Sequence, residues 1–364
     1  MKRTNTARWL ESQKRWQINV QKDGVRRSFT SSTPGRNGQR EANKKADDWL
    51  DGNLINPNIK VSKLYPQWID VLKQTTSKSH WIKYVSMGNK WILPRIGSVQ
   101  LGKLNEGHLQ SVIDAMQAAG LARKTQRNMR ACLAAFVKYA RINKATTLII
   151  DTLSVAKSSK VGERTILQPN DIKKLFSSSE TIVRGKPCKE FYINAYRFQV
   201  ATGLRPGEVL GLQWSDVHGS NISLKRSINH YKEITTGKND NARRVFALTP
   251  LASSLLEDQK EHLSKHGTPS KYIFCDEHGE VTKQFNYTRK WNRYRDHNGI
   301  SPATPYELRH TFVSIVKQLP DGLLKPLVGH SKDMDTYGVY SHEVSGDKEQ
   351  TAVLVQDIFS NILK

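Results

Sequence analysis

The sequence predicts a multidomain α+β protein, and three observations support that fold class. The chain has 364 residues, which is more than one typical domain. Strand-like alternation comes first, helical spacing follows, and the last part mixes both patterns. We therefore expect a small N-terminal β-sheet plus helix domain at 1–58, a helical domain at 61–155, and a mainly α domain with a small antiparallel sheet at 165–364.

The first domain is predicted from two short strands and one helix. Residues 16–20 alternate in strand fashion, Asp23-Gly24 is a typical hairpin turn, and residues 25–30 form the returning strand. Apolar residues then recur at helical spacing over 39–50. This pattern predicts a small sheet with one helix packed behind it.

Charge is the most informative property of the composition. The chain has 57 Lys and Arg against 33 Asp and Glu, a formal net charge of +24. A chain this basic repels itself, and a polyanionic partner relieves that repulsion, so nucleic acid is the first expectation. A ribosome-associated or anionic-membrane protein would look similar. The sequence has neither an apolar run of membrane length nor an N-terminal signal peptide, and its three cysteines lie far apart, so we expect a cytoplasmic protein with reduced thiols.

Basic residues in the first two domains are candidate DNA contacts. Arg26 and Arg27 lie on the returning strand, and a small basic sheet can enter a major groove. In the helix predicted over 124–141, Lys124, Arg127 and Arg130 are available to the solvent. Solvated surfaces of ordinary domains carry the same pattern, so both interpretations stay open here.

The segment ATGLRPGEVL at 201–210 holds the first candidate site residue. Gly203 is expected to end one helix and Pro206 to begin the next, which leaves Arg205 in a tight connection. An arginine fixed there can direct its planar guanidinium at a phosphate. An ion pair between Arg205 and Glu208 at a helix start is the ordinary alternative.

Three further segments follow in the last domain. TGKNDNARR at 236–244 lies between two predicted strands and places Lys238 on a hairpin turn. YELRH begins a helix after Pro305, so that Tyr306 and Arg309 share one face. LVGHS carries His330, and Tyr340 follows ten residues later.

Taken in order, these segments resemble the catalytic domain of the tyrosine recombinases, the family of phage and conjugative-transposon integrases. That family has an Arg in a T-G-L-R-x-x-E context, a hairpin Lys, an H-x-x-R box, a G-H-S box and a Tyr followed by x-His. Four of the five occur here, and the H-x-x-R box is altered. The domains at 1–58 and 61–155 are similar to the family's arm-binding and core-binding DNA domains.

The resemblance implies a reaction in which DNA strands are cut and rejoined through a covalent 3′-phosphotyrosine. A phosphodiester repels nucleophiles, so the attack needs preorganised positive charge. Because the phosphotyrosine ester conserves the bond energy, we expect no cofactor and no metal. The implied roles are a nucleophile at Tyr340, a phosphate clamp at Arg205 and Arg309, a general acid at Lys238, a phosphate hydrogen bond from His330, and support of the first arginine by Glu208.

Two tyrosines leave alternatives open. Tyr306 stands where the family has a histidine, and a phenol is a poorer general base near neutral pH. Tyr337 is a rival nucleophile, although it lies closer to His330 than the family spacing and Tyr340 is the one followed by x-His. We therefore assign the nucleophile to Tyr340 and keep a DNA-binding regulator with weakened catalysis as the alternative function, with a relaxing topoisomerase as a third.

The resemblance also predicts partners. We expect double-stranded DNA bound at core and arm sites, DNA-bending accessory proteins, and a homotetramer on DNA in the bacterial cytoplasm near the nucleoid. The apolar segment from Ala352 to Leu363 is predicted to be helical. It either packs onto its own domain or, as the resemblance favours, docks into a neighbouring protomer.

Overall fold

A computed structural model describes most of the chain, and the description that follows is of residues 3–22, 24–50, 57–157, 164–235, 243–320, 323, 327 and 346–364. The chain divides into two compact units, Met1–Gly162 and Glu163–Lys364. Both consist of helices and small antiparallel sheets, as the fold class predicted. Separation of the first unit into two domains stays a prediction.

The N-terminal unit begins with a three-stranded antiparallel sheet and one helix. The elements are β1 (Arg8–Leu10), β2 (Arg15–Lys22), β3 (Val25–Ser31) and α1 (Gly35–Leu50), with strand order β1-β2-β3. Ala42 and Ala46 of α1 are fully buried against Ile18 and Val20 of β2, because small side chains let the helix approach the sheet closely. The sequence predicted all of these elements except β1.

Helices make up the rest of this unit. They are α2 (Val61–Thr75), α3 (Lys78–Met87), α4 (Leu93–Ile96), α5 (Glu106–Ala118) and α6 (Arg123–Ile142). The core centres on aromatic side chains: the Tyr65 and Phe136 rings lie 5.1 Å apart, and Trp68 lies 5.5 Å from Phe136. Val71 of α2 is 41% exposed, so it lies outside this core.

The elements of the C-terminal unit pack around one buried helix, Ile193–Thr202. Its elements are α7 (Pro169–Ser177), β4 (Glu180–Val183), β5 (Lys186–Lys189), α8 (Ile193–Thr202), α9 (Pro206–Gly211), β6 (Val217–His218), β7 (Asn221–Leu224), β8 (Ser227–Ile228), β9 (Ile234–Thr235), β10 (Arg244–Ala247), α10 (Pro250–Lys265), α11 (Gln284–His297), α12 (Pro305–Ile315) and α13 (Asp347–Leu363). Proline opens α7, α9 and α12, where its missing N–H costs nothing. Tyr196 of α8 packs at 4.9 Å on Trp291 of α11, and both are fully buried.

A small sheet lies beside this core, with strand order β10-β7-β6. The strands predicted near 222–228 and 245–248 pair over β7, with Ile222 opposite Phe246. The first of them is not continuous, because residues 227–228 form β8, which pairs with β9 instead. The turn at 236–242, which carries Lys238, lies outside the described residues.

The C-terminal helix α13 packs on its own unit. Val355 and Phe359 are buried against Phe312 and Val316 of the α12 region, and the backbone N–H of Leu251 donates to Gln356 Oε1 at 2.9 Å. The predicted helix is therefore confirmed. In this single chain it takes the own-domain arrangement, which the sequence analysis held to be the less favoured alternative.

Candidate active site

Arg205 lies in a turn that glycine makes possible. Helix α8 ends at Thr202, and Gly203 adopts a left-handed conformation with φ +66°. A Cβ at Gly203 would lie 2.2 Å from Phe312 Cδ1, so a larger residue would collide with that ring. Arg205 then caps α9, which begins at Pro206. This is the tight connection that the sequence predicted.

Glu208 is the buried carboxylate of the site, with 3% of its surface exposed. Arg205 donates to it twice, from Nη1 to Oε1 at 2.6 Å and from its backbone N–H to Oε2 at 3.0 Å. Burial alone would raise the pKa of Glu208. The charge of Arg244 and the bonds and charge of Arg205 outweigh burial, and the pKa lies below its ordinary value of 4.5.

Arg309 reaches the same turn from α12. It is 3% exposed, and its Nη1 donates to the carbonyl of Gly203 at 2.9 Å. Burial, followed by the neighbouring charge of Arg205, lowers the pKa of Arg309 to about 10, and Glu208 partly offsets this. The two arginines that the sequence paired thus converge on one turn, although they are far apart in the chain.

Arg244 is a residue of this cluster to which the sequence analysis gave no role. Its side chain is 9% exposed and its Nη2 lies 3.3 Å from Glu208 Oε2. Burial lowers the pKa of Arg244, and the charge of Glu208 opposes that shift. Strand alternation could have revealed it, since Arg244 shares a face with the buried Phe246 two positions on.

The cluster as a whole carries excess positive charge. Within the described part of the chain, three guanidinium groups, those of Arg205, Arg244 and Arg309, surround one carboxylate, that of Glu208. Burying like charges together is costly unless an anion compensates them. Planar guanidinium groups fit the paired oxygens of a phosphate, so the arrangement suits a phosphodiester.

Tyr306 lies one turn before Arg309 at the start of α12 and is 49% exposed. Its ring contacts His310 with centroids 5.2 Å apart, and Arg164 Nη1 lies 3.0 Å from His310 Nε2. His310 belongs to the YELRH segment and was not predicted to be a site residue. Its spacing of four from Tyr306 was the available signal, because such residues share a helical face.

Three proposed site residues lie outside the described residues, namely Lys238, His330 and Tyr340, and so does the rival Tyr337. Their roles stay predictions. Leu327, three residues before His330, is described, and its carbonyl accepts a hydrogen bond from Arg244 Nε at 3.0 Å.

The candidate DNA contacts in the N-terminal unit differ in their placement. Arg26 and Arg27 point to opposite faces of β3, since side chains alternate along a strand. Arg27 lies 5.8 Å from the ring of Trp49 on the α1 side, and Arg26 is on the open face. Lys124, Arg127 and Arg130 are all exposed on α6, and Arg130 donates to the carbonyl of Leu153 at 3.3 Å.

Two other kinds of site are absent from the described ranges. Those residues hold no group of three or more His, Cys, Asp or Glu side chains that could bind a metal ion. None of the helices described is both long enough and apolar enough to cross a membrane.

The fold and the arginine cluster define an enzyme of the DNA strand-transfer class, and comparisons with known proteins agree. The family model described as "Phage integrase family" matches residues 165–345, and "Phage integrase, N-terminal SAM-like domain" matches 60–117. The chain is 20% identical over 379 residues to a XerC-like tyrosine recombinase of Caldanaerobacter subterraneus, covering 92% of each. We conclude that this chain belongs to the phage integrase family of tyrosine recombinases.

Solved structures show the same fold. The integrase of the Tn1549 transposon, in complex with transposon right end DNA, superposes with a TM-score of 0.64 at 18% identity, over 83% of this chain and 100% of that one. Lambda integrase, solved as a tetramer bound to a Holliday junction, gives a TM-score of 0.58 at 18% identity, over 92% of this chain and 94% of that one. The predicted mixed helical fold with small antiparallel sheets is therefore confirmed.

Proposed function

We propose that this chain is a site-specific recombinase of a phage or mobile element that cuts and rejoins DNA through a 3′-phosphotyrosine at Tyr340. The observation that carries the proposal is the convergence of Arg205 and Arg309 on one turn beside the buried Glu208. Such a site holds positive charge in place before the substrate arrives, which is the main requirement for attack on a phosphodiester.

In the proposed reaction, the Tyr340 oxygen forms a bond to phosphorus and the bond to the 5′ oxygen breaks. Arg205 and Arg309 neutralise the charge that builds on the non-bridging oxygens. Lys238 protonates the departing 5′ oxygen, and His330 hydrogen-bonds the phosphate. The phenol gives up its proton to water as its new bond forms. Attack on phosphorus by the 5′ hydroxyl of another strand then breaks the phosphotyrosine bond, returns the phenol and joins the strands into a Holliday junction.

A covalent trapping experiment tests this proposal. We use duplexes from the DNA on either side of the gene, each with a nick at a different position. Where the nick lies just 3′ of the cleavage point, the short fragment with the new 5′ hydroxyl dissociates, so religation fails and the adduct accumulates. We expect the wild-type protein to form adducts on some of these duplexes and Tyr340→Phe to form none while it still binds DNA. Tyr337→Phe is the matched control and should keep the activity.

The result also separates the competing functions. Adducts that persist in Tyr340→Phe and vanish in Tyr337→Phe would move the nucleophile to Tyr337. Absence of wild-type adducts on every duplex would favour a DNA-binding regulator with weakened catalysis, for which the exposed Tyr306 in place of a histidine is the supporting observation. Adducts that form irrespective of DNA sequence would favour a topoisomerase.

We propose that the chain contacts DNA through three domains, at 1–58, 61–155 and 165–364. On the first domain, the open sheet face presents Gln17, Asn19, Gln21 and Arg26, side chains that can read base edges in a major groove. Since Arg27 lies on the helix side, Arg26→Ala should weaken arm-site binding more than Arg27→Ala. On the second domain, Lys124, Arg127 and Arg130 are proposed phosphate contacts.

We further propose that a homotetramer forms on DNA in the cytoplasm, with α13 exchanged between neighbouring protomers and with DNA-bending proteins assisting. The solved lambda integrase tetramer supports oligomerisation. Deletion of the residues after Gly346 tests the role of α13: the truncated protein should bind a single site but fail to form the higher-order complex. Unchanged assembly would show that α13 serves only its own domain.

A further inference from the structure

Arg244 makes contacts that the proposed reaction does not yet use. Its guanidinium lies within 3.5 Å of both oxygens of Glu208, with Nη1 to Oε1 at 3.5 Å and Nη2 to Oε2 at 3.3 Å. Its Nε donates in another direction, to the carbonyl of Leu327 at 3.0 Å. One buried side chain therefore holds a carboxylate and a backbone carbonyl at once.

These two contacts join three stretches of chain. Glu208 holds Arg205 in its turn. Leu327 immediately precedes the segment that carries His330, and Arg244 itself begins β10, the strand that follows the Lys238 turn. The turn that bears Arg205, the start of β10 and Leu327 are thus held together through a single guanidinium.

We propose that Arg244 is a positioning residue of the recombination site. It acts through Glu208 on Arg205 and through the Leu327 carbonyl on the His330 segment, and it does not contact the DNA. This inference rests on the proposed strand-transfer function. A lysine could not replace it, because one ammonium group lacks the planar fork that reaches the carboxylate and the carbonyl together.

The variant Arg244→Lys tests this role, because it keeps the charge and removes the fork. We expect adduct formation on the nicked duplex to fall at least thirtyfold, with DNA affinity within threefold of wild type. A matched control exists in the same unit: Arg226 pairs with the buried Asp216 and donates to the carbonyl of Gly211 at 3.3 Å. Arg226→Lys disturbs an equivalent contact and should cleave within threefold of wild type.

A modified substrate distinguishes positioning from general damage to the fold. A methylphosphonate at the scissile position replaces one non-bridging oxygen by a methyl group and removes the negative charge. The isomer that restores cleavage to Arg205→Ala should also restore it to Arg244→Lys, since Arg244 acts through Arg205. The isomer that restores Arg309→Ala should not.

Several results would overturn the inference. Cleavage by Arg244→Lys within threefold of wild type would do so, as would a loss that Arg226→Lys matches. Rescue by neither isomer, or only by the isomer that rescues Arg309→Ala, would show that Arg244 acts otherwise. Failure of the wild-type protein to form any adduct would instead refute the proposed function, so the two failures are distinguishable.

Discussion

Two buried glutamates of the C-terminal unit should lose very different amounts of stability on the same substitution. Glu208 and Glu190 are 3% and 1% exposed, and each pairs with arginine. At Glu208 burial raises the pKa, but the neighbouring arginines outweigh it and the net shift is downward. At Glu190 burial dominates and the pKa is raised. Glutamine, which is neutral and of the same size, therefore removes a charge that the fold favours at Glu208 and disfavours at Glu190.

The magnitude follows from what each substitution leaves behind. Glu208→Gln leaves the buried guanidinium groups of Arg244 and Arg309, and the part-buried one of Arg205, without their carboxylate. Removal of one partner of a buried ion pair costs about 3–5 kcal/mol. That is a large share of a typical stability of about 5–15 kcal/mol. Glu190→Gln keeps an oxygen for the Tyr192 N–H and should cost less than about 1 kcal/mol near neutral pH.

The pH dependence gives the expected signs. Because the pKa of Glu208 is lowered, its stabilisation is complete above the ordinary value of 4.5 and is lost as the pH falls through the folded pKa. Glu190 behaves oppositely: its pKa is raised, so its contribution is present below 4.5 and is lost as the pH rises. At pH 7.5 the charge of Glu208 should therefore add to stability, whereas the charge of Glu190 should not.

Urea unfolding of the full chain at pH 7.5 measures both effects, with hydrogen exchange of peptides from α8 and α9 to assign the transition to the C-terminal unit. A loss below about 1 kcal/mol for Glu208→Gln, or equal losses for the two variants, would contradict the electrostatic account of the site.

Three further predictions concern other parts of the C-terminal unit. Tyr306→His should raise single-turnover strand cleavage by less than about a hundredfold, and a larger rise would favour the weakened-catalysis alternative. Phe359→Ala should lower the unfolding free energy by about 3–5 kcal/mol. Val353→Ala, at a 59% exposed position of the same helix, should lower it by less than about 0.5 kcal/mol. Equal losses for the two variants would contradict the packing of α13. Burial and the charges of His266 and Lys189 lower the pKa of His262 to about 4. The unfolding free energy of the wild-type protein, measured by urea titration, should therefore fall by about 1–3 kcal/mol as the pH falls from 6.5 to 4. The same pH change should lower the unfolding free energy of His262→Phe by less.

The turn at Arg205 could be predicted because its determinants are local. Gly203 and Pro206 mark the end of one helix and the start of the next, and Glu208 is only three positions from Arg205. The same applies to α12, where Pro305 marks the start. Local sequence signals of this kind act over a single turn, so they can be read without knowledge of tertiary structure.

The contacts of Arg244 could not be predicted in the same way. Glu208 is 36 positions away and Leu327 is 83, and such separations depend on how the helices and the sheet pack. The inward direction of Arg244 was accessible from strand alternation, but its partners were not. For Arg26 and Arg27, by contrast, the sequence held enough information. Side chains alternate along a strand, so these two neighbours had to lie on opposite faces of the sheet, although both were predicted to contact DNA.

The phenylalanine beside Gly203 links the arginine turn to the far end of the chain. The Phe312 ring fills the space where a Cβ of residue 203 would lie, and it also stacks on the Phe359 ring of α13, with centroids 6.3 Å apart. The helix that packs on Phe312 at the position of α13 therefore supports the backbone turn that orients Arg205. A protomer without a helix packed at this position would lose that support. The placement of α13 and the conformation of the turn that holds Arg205 therefore depend on each other.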